Sequence, residues 1–174
     1  MSMESLKWLG LFTIISMLHG PTLALAEELP REAVLPLATA AKAASAALEK
    51  CAKDGYKVSV AVVDRAGLLR TLQRGDGAGP HTIDSSSKKA YTAASLRRPT
   101  SELAELITKV PTLQALREMN EKVLILGGGL PIEIGGEVVG GIGVGGAPGA
   151  HLDDACAQAG LDAIDAAQKI PAAK

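Results

Sequence analysis

One histidine occupies a position from which a side chain could ligate a metal. His81 follows a glycine- and proline-rich stretch, residues 75–80, and stands at the start of a segment with helical character. Three glycines and one proline in this stretch predict a loop with an exposed backbone. A neutral imidazole at such a loop–helix junction can ligate a metal ion or a haem iron. The competing interpretation is a solvent-exposed loop histidine.

Four side chains along the helix predicted after this loop could contact one ligand. Lys88 and Tyr91 are three residues apart, as are Lys89 and Thr92, so each pair can share a helix face. Lysines can pair with the carboxylates of an anionic ligand, and a tyrosine can ligate ferric iron or stack on a flat ligand. The alternatives are a solvated face for the lysines and a core position for Tyr91.

Familiar catalytic and nucleotide-binding motifs fit the sequence poorly. There is no G-x-S-x-G, and the serines at 85–87 lack a His/Asp arrangement that would suggest a triad. Residues 143–149 loosely match a dinucleotide fingerprint, but Pro148 and the hairpin predicted before it are incompatible with a βαβ unit. Hydrolase and nucleotide-dependent enzyme functions are therefore disfavoured.

Length, composition and charge are those of one ordinary globular domain. The chain has 174 residues, of which 47% are hydrophobic and 21% are charged, and this argues against a disordered protein. The formal net charge is −1. Nucleic-acid binding requires a clustered excess of Lys and Arg, so a nucleic-acid partner is not expected.

The N-terminal segment has the pattern of a secretory signal peptide. Lys7 is followed by an apolar run over residues 8–18, which is short for a bilayer span, and then by Pro21 and an Ala-Leu-Ala cleavage site that ends at Ala26. We predict a signal peptide over residues 1–26 and a mature domain over 27–174, periplasmic or secreted and without stable membrane insertion. An uncleaved N-terminal anchor is the alternative.

The two cysteines permit two interpretations. An exported protein meets an oxidising environment, in which Cys51 and Cys156 could form a disulfide. They could also be buried, reduced and hydrophobe-like. The sequence cannot place their Cα atoms within bridging distance, so the reduced pair is the interpretation that we favour at this point.

The hydrophobic pattern predicts hairpins flanked by helices. Strands are predicted at 57–63, 68–74, 123–126, 130–134 and 138–144. Helices are predicted at 33–53, from about 82 to 96, at 102–110 with a further turn to about 119, and from about 152 to 169. Because hairpins dominate, the expected fold is a single α+β domain with a mainly antiparallel sheet. Glycines inside the last strand indicate that something packs closely against its backbone.

Several blocks of the sequence resemble the HbpS/GlcG-like family of haem-binding proteins, which also occurs as the C-terminal domain of PduO-type adenosyltransferases. The blocks are VSVAVVDRAG (58–67), GDGAGPHT (75–82), KKAYTAAS (88–95), RPTSELAE (98–105), LGGGLPIEIGGEVVGGIGVGGAPG (126–149) and LDDACAQAGLDAI (152–164). The resemblance implies a five-stranded antiparallel sheet, a homo-oligomer and a haem or related tetrapyrrole ligand.

The same resemblance indicates which residues would face the ligand. The helix after the glycine-rich loop is expected to contact it through His81, Thr82, Lys88, Lys89, Tyr91 and Thr92, with His81 as the metal ligand. The entrance of this helix offers Asp84 as its only carboxylate, which disfavours a carboxylate iron site there. The mature chain keeps two aromatic residues, Tyr56 and Tyr91, so contacts to a porphyrin would come mainly from aliphatic side chains and glycine backbone.

Three functions are consistent with the sequence. The leading hypothesis is an exported haem-binding protein that stores, senses or degrades haem. The second is an enzyme acting on haem or on a small metabolite, with the glycine-rich strand and loop at 140–149 near the substrate. The third is a non-catalytic periplasmic module that interacts with a transporter or sensor.

Overall fold

The structure, a computed structural model, describes residue 29 and residues 31–165. The chain divides into two units, Met1–Arg31 and Glu32–Lys174, and all elements given below belong to the second. The signal peptide predicted over residues 1–26 lies outside the described residues.

Four α-helices and a four-stranded sheet make up the described part of the second unit, together with a 3₁₀ helix. In chain order they are α1 (Leu37–Lys53), β1 (Ser59–Asp64), β2 (Leu69–Arg74), α2 (His81–Leu96), α3 (Thr100–Lys109), the 3₁₀ helix (Pro111–Glu118), β3 (Gly129–Ile134), β4 (Glu137–Gly145) and α4 (Ala150–Asp165). Helix α1 begins later than predicted because Pro36 biases the residue before it away from helical geometry.

The sheet has the strand order β2-β1-β4-β3, and every neighbouring pair is antiparallel. This confirms the α+β fold with an antiparallel sheet, but the expectation of five strands is wrong. The predicted strand at 123–126 stays outside the sheet because its backbone groups bond locally and to side chains. The N–H groups of Val123 and Leu126 donate to the carbonyls of Asn120 and Leu124. The Leu124 N–H donates to Thr92 Oγ1, and the Ile125 carbonyl accepts a hydrogen bond from Arg117.

Helices cover both faces of the sheet. Alternation along β1 directs Val60 and Val62 into a cluster with α1 and α4, whereas Ala61 and Val63 pack against Ala90 of α2. Helix α2 packs on the second face, over β4, β1 and β3. The edge strand β2 makes few contacts with α2, which leaves a gap beside that helix.

A disulfide links α1 to α4. Cys51 and Cys156 are both fully buried, and their Cα atoms are 5.5 Å apart. The interpretation of two reduced thiols is therefore wrong. It failed because the two helices pack side by side on one face of the sheet, an arrangement that sequence spacing does not show.

Glycines in β4 allow α2 to approach the sheet closely. A Cβ at Gly143 would lie 2.1 Å from the Ser86 carbonyl oxygen, and one at Gly141 would lie 2.4 Å from that of Ala90. The prediction of close packing against this strand is confirmed. The packing element is α2, so the strand is covered by protein rather than open to a substrate.

Candidate functional site

A cavity of about 300 Å³ lies beside α2, where β2 leaves the helix uncovered. Its lining combines apolar, hydroxyl and charged groups. It is formed by Val63, Gly67, Leu68, Leu69, Asp84, Ser87, Lys88, Tyr91 and Lys122. The turn between β1 and β2 supplies one wall, α2 supplies the opposite one, and Lys122 comes from the segment before β3.

One face of α2 carries the polar groups of this cavity. Asp84, Lys88 and Tyr91 follow at steps of four and three, which places them in one row along the helix. The ammonium of Lys88 lies 3.3 Å from the Asp84 carboxylate, and both side chains are accessible to solvent. Lys88 therefore presents a solvent-accessible positive charge at the cavity rather than a buried one.

Tyr91 forms the inner end of this row. Its ring packs beside Gly67, where a Cβ would lie 2.6 Å from ring carbons, so a residue without a side chain is required opposite it. The ring also contacts the apolar cluster of α3 and the segment before β3, which includes Ile107 and Ile125. The Lys122 ammonium lies 5.5 Å from the ring centroid, within the range of a cation–π interaction. Tyr91 is thus held by packing while it still lines the cavity.

His81 lies on the same helix face but does not line the cavity. It is the first residue of α2 and is exposed, with its imidazole beside Gly79. Tyr91 is ten residues further along, which corresponds to about 15 Å of helix rise. The structure therefore separates His81 from the part of α2 that forms the cavity wall.

Thr82 and Thr92 belong to the buried face of α2. The Thr82 hydroxyl lies 2.7 Å from that of Ser59 and donates to the Gly79 carbonyl, which fixes the first turn of the helix against β1. The Thr92 hydroxyl donates to the Lys88 carbonyl and accepts the Leu124 N–H at 2.8 Å. Both threonines connect α2 to neighbouring backbone, and neither lines the cavity.

Lys89 is enclosed by protein. Its side chain is 2% exposed, and its ammonium donates to Asp153 Oδ2 at 2.8 Å and to the Val144 carbonyl at 2.9 Å. Asp153 also accepts the Ala147 N–H, so the pair connects α2, the end of β4 and the start of α4. Desolvation by burial raises the pKa of Asp153 above its ordinary 3.8, although the hydrogen bond and charge of Lys89 act in the opposite direction. Of the two predicted ligand lysines, the structure places only Lys88 at the cavity.

Several cavity residues were not predicted from the sequence. Leu68 and Leu69 were assigned only to a strand, yet they are 62% and 55% exposed at the cavity wall. Gly67 was assigned only to a turn. Lys122 has no periodic relation to the α2 residues, and only the fold brings it to them. The sequence shows Leu68 and Leu69 only as an adjacent apolar pair, and their exposure is known from the structure.

No group of three His, Cys, Asp or Glu side chains that could hold a metal ion occurs within residue 29 and residues 31–165. In the same part of the chain, none of the helices is long and apolar enough to cross a membrane.

One family model matches most of this domain. The model of the family described as haem-degrading protein HbpS-like matches residues 35–162. The chain belongs to the HbpS-like family. This confirms the resemblance seen in the sequence blocks, and the matched region contains the whole of the cavity lining.

Relatives of this HbpS-like protein include solved structures. A double mutant of Streptomyces reticuli HbpS is 46% identical, with 82% of this chain and 95% of that chain covered and a TM-score of 0.73. The crystal structure of a PduOC:haem complex is 26% identical, with 75% and 95% covered and a TM-score of 0.70. Protein GlcG of Escherichia coli is 33% identical over 100 residues, which cover 58% of this chain and 72% of GlcG.

Proposed function

We propose that this HbpS-like protein binds haem in the cavity beside α2. The observation that carries the proposal is the donor set of that cavity, in which a tyrosine, two lysines and exposed leucines converge on one space. The family description and the haem complex of PduOC support the same ligand class. Haem supplies a ferric iron with open axial positions, a flat apolar ring and two propionate carboxylates.

Tyr91 is the group suited to the iron. A tyrosine oxygen is an established axial ligand of haem iron, and Tyr91 lines the cavity on a rigid helix. Packing against Gly67 and the apolar cluster holds its ring, so little rotational freedom is lost when a ligand binds. His81 was predicted as the metal ligand and remains the competing assignment, from an exposed site at the helix start.

The remaining cavity residues suit the rest of the ligand. Val63, Leu68 and Leu69 offer aliphatic surface to the porphyrin ring, and covering the two exposed leucines removes apolar area from water. The ammonium groups of Lys88 and Lys122 can pair with propionates. The proposal keeps the expectation that a chain with few aromatic residues would contact a porphyrin through aliphatic side chains.

The test of the proposal is an equilibrium titration of the purified protein with haemin, followed by absorbance. We expect a saturable Soret shift with one haemin per chain at saturation. A linear, non-saturating change would contradict haem binding and would favour the interaction-module hypothesis. Adding a reductant and oxygen to the saturated complex extends the test to haem degradation, which would appear as loss of the Soret band with a biliverdin-like product.

We further propose that the protein is exported to an oxidising compartment. The Cys51–Cys156 disulfide supports this, because disulfides persist in such compartments and are rare in the cytosol of most organisms. N-terminal sequencing of the protein isolated from its native cell is expected to begin at Glu27. A chain that retains residues 1–26 would contradict cleavage of a signal peptide. Two thiols that react with a maleimide under denaturing conditions would contradict export to an oxidising compartment.

A further inference from the structure

The segment between the 3₁₀ helix and β3 brings a lysine to the cavity from outside α2. Lys122 is exposed, lines the cavity and lies over Tyr91. Its backbone N–H donates to Asn120 Oδ1, and the next residue, Val123, is buried. The backbone of Lys122 is therefore fixed, while its ammonium stays accessible at the cavity.

Thr92 ties this segment to α2. The Thr92 hydroxyl is fully buried and accepts the Leu124 N–H, two residues after Lys122. It also donates to the carbonyl of Lys88, the other lysine of the cavity. One hydroxyl thus sets the position of the Lys122 segment relative to the helix that carries Lys88 and Tyr91.

The two cavity lysines differ in their partners. Lys88 is paired with Asp84 at 3.3 Å, so an incoming carboxylate must compete with Asp84. Among the ion pairs of the described residues, none involves Lys122. Its ammonium faces the electron-rich ring of Tyr91 and keeps its hydrogen-bond donors available for an anion.

We propose that Lys122 is a specificity-determining residue that selects ligands carrying a carboxylate, and that Thr92 is the residue that positions it. This inference rests on the proposed function and assigns the propionate partner within the same site. Because hydrogen bonds hold the backbone around Lys122, a carboxylate at the cavity gains a charge-assisted hydrogen bond at the cost of ordering the lysine side chain alone.

The ligand arm of the test compares haemin with haemin dimethyl ester, in which both propionates are capped. Lys122→Gln is expected to weaken haemin binding about tenfold, as for loss of a charged hydrogen bond, and to change the affinity for the diester less than twofold. Lys109→Gln is the matched control, since Lys109 is an exposed lysine that does not line the cavity. It should leave both affinities unchanged.

The protein arm tests the role of Thr92. Thr92→Val removes the anchor of the segment and should lower haemin affinity in an otherwise wild-type chain, but should cause little further loss when combined with Lys122→Gln. Thr92→Ser keeps the hydroxyl and should bind haemin with the affinity of the wild type. A purely structural role would instead weaken both ligands equally and add to the effect of Lys122→Gln, which would overturn the positioning role.

The remaining outcomes separate this inference from the proposed function. Tight haemin binding that Lys122→Gln leaves unchanged, or weakens as much for the diester as for haemin, would overturn the selection role and leave haem binding intact. Absence of saturable haemin binding in the wild type would overturn the proposed function and this inference with it. Thermal unfolding of each variant shows whether the protein that is titrated is folded.

Discussion

Replacing Lys89 by methionine is expected to lower the free energy of unfolding by about 3–5 kcal/mol, the cost of removing one partner of a buried ion pair. The substitution keeps the apolar length of the side chain but leaves the Asp153 carboxylate without its 2.8 Å partner. It also removes the donor to the Val144 carbonyl. Urea unfolding followed by circular dichroism measures the change.

Lys109→Met is the control for this substitution. It removes the same charge from an ion pair with Glu105 in which both side chains are more than two-thirds exposed. Such a pair contributes less than about 1 kcal/mol. A second control, Lys89→Met combined with Asp153→Leu, should recover part of the stability because no charge is left buried. Equal effects of Lys89→Met and Lys109→Met would show that the buried pair does not stabilise the fold.

The effect of Lys89→Met should grow as pH rises. Burial already raises the pKa of Asp153 in the folded wild type above its ordinary value of 3.8. Proton binding to this carboxyl therefore adds to the free energy of unfolding at a pH below 3.8, and this contribution is lost as pH rises through the folded pKa. Without Lys89, which lowers this pKa, the folded value rises further. The folded variant then holds a proton that the folded wild type has released, so its relative stability falls with increasing pH. A difference that is constant or decreases with pH would contradict this linkage.

Removing the disulfide is the second change with a large expected effect. Replacing Cys51 and Cys156 by alanine should lower the free energy of unfolding by about 4–5 kcal/mol, because the bond closes a loop of about 100 residues and restricts the unfolded chain. Both sulfur atoms are buried between α1 and α4. Alanine adds no polar group there, so most of the loss reflects the missing cross-link.

Reductant provides the matched comparison for the disulfide. The wild type unfolded in the presence of dithiothreitol should approach the stability of the double alanine variant, and the variant itself should not respond to reductant. If reductant leaves the unfolding midpoint of the wild type unchanged, the disulfide does not stabilise the fold. This experiment is independent of haem and of Lys89.

Local sequence signals predicted most of the secondary structure. The glycine-rich loop, the helix that starts at His81 and the two hairpins follow from glycine, proline and β-branched residues whose effects are local. The strand glycines also indicated close packing correctly, because a missing Cβ has one main structural use inside a strand. The strand predicted at 123–126 was wrong, because the side chains of Thr92 and Arg117, from elsewhere in the chain, bond to backbone groups of this segment.

The site was harder to predict because it depends on which face of α2 meets the sheet. Lys88 and Lys89 are adjacent and chemically identical, yet one lines a cavity and the other is buried against Asp153. The row Asp84–Lys88–Tyr91 follows from helical spacing once that face is known. Lys122 and the wall from Leu68 and Leu69 come from other elements, and only the folded chain brings them to α2.

The most direct test of the central claim is a set of parallel haemin titrations of wild type, Tyr91→Phe and His81→Ala. If haem lies in the cavity with Tyr91 at the iron, Tyr91→Phe should weaken binding by at least about tenfold, which corresponds to about 1.4 kcal/mol, and change the ferric spectrum. His81→Ala should then leave both unchanged, because His81 does not line the cavity. Loss of affinity and an altered Soret band in His81→Ala, with Tyr91→Phe behaving as wild type, would contradict this account and would move the haem to the start of α2.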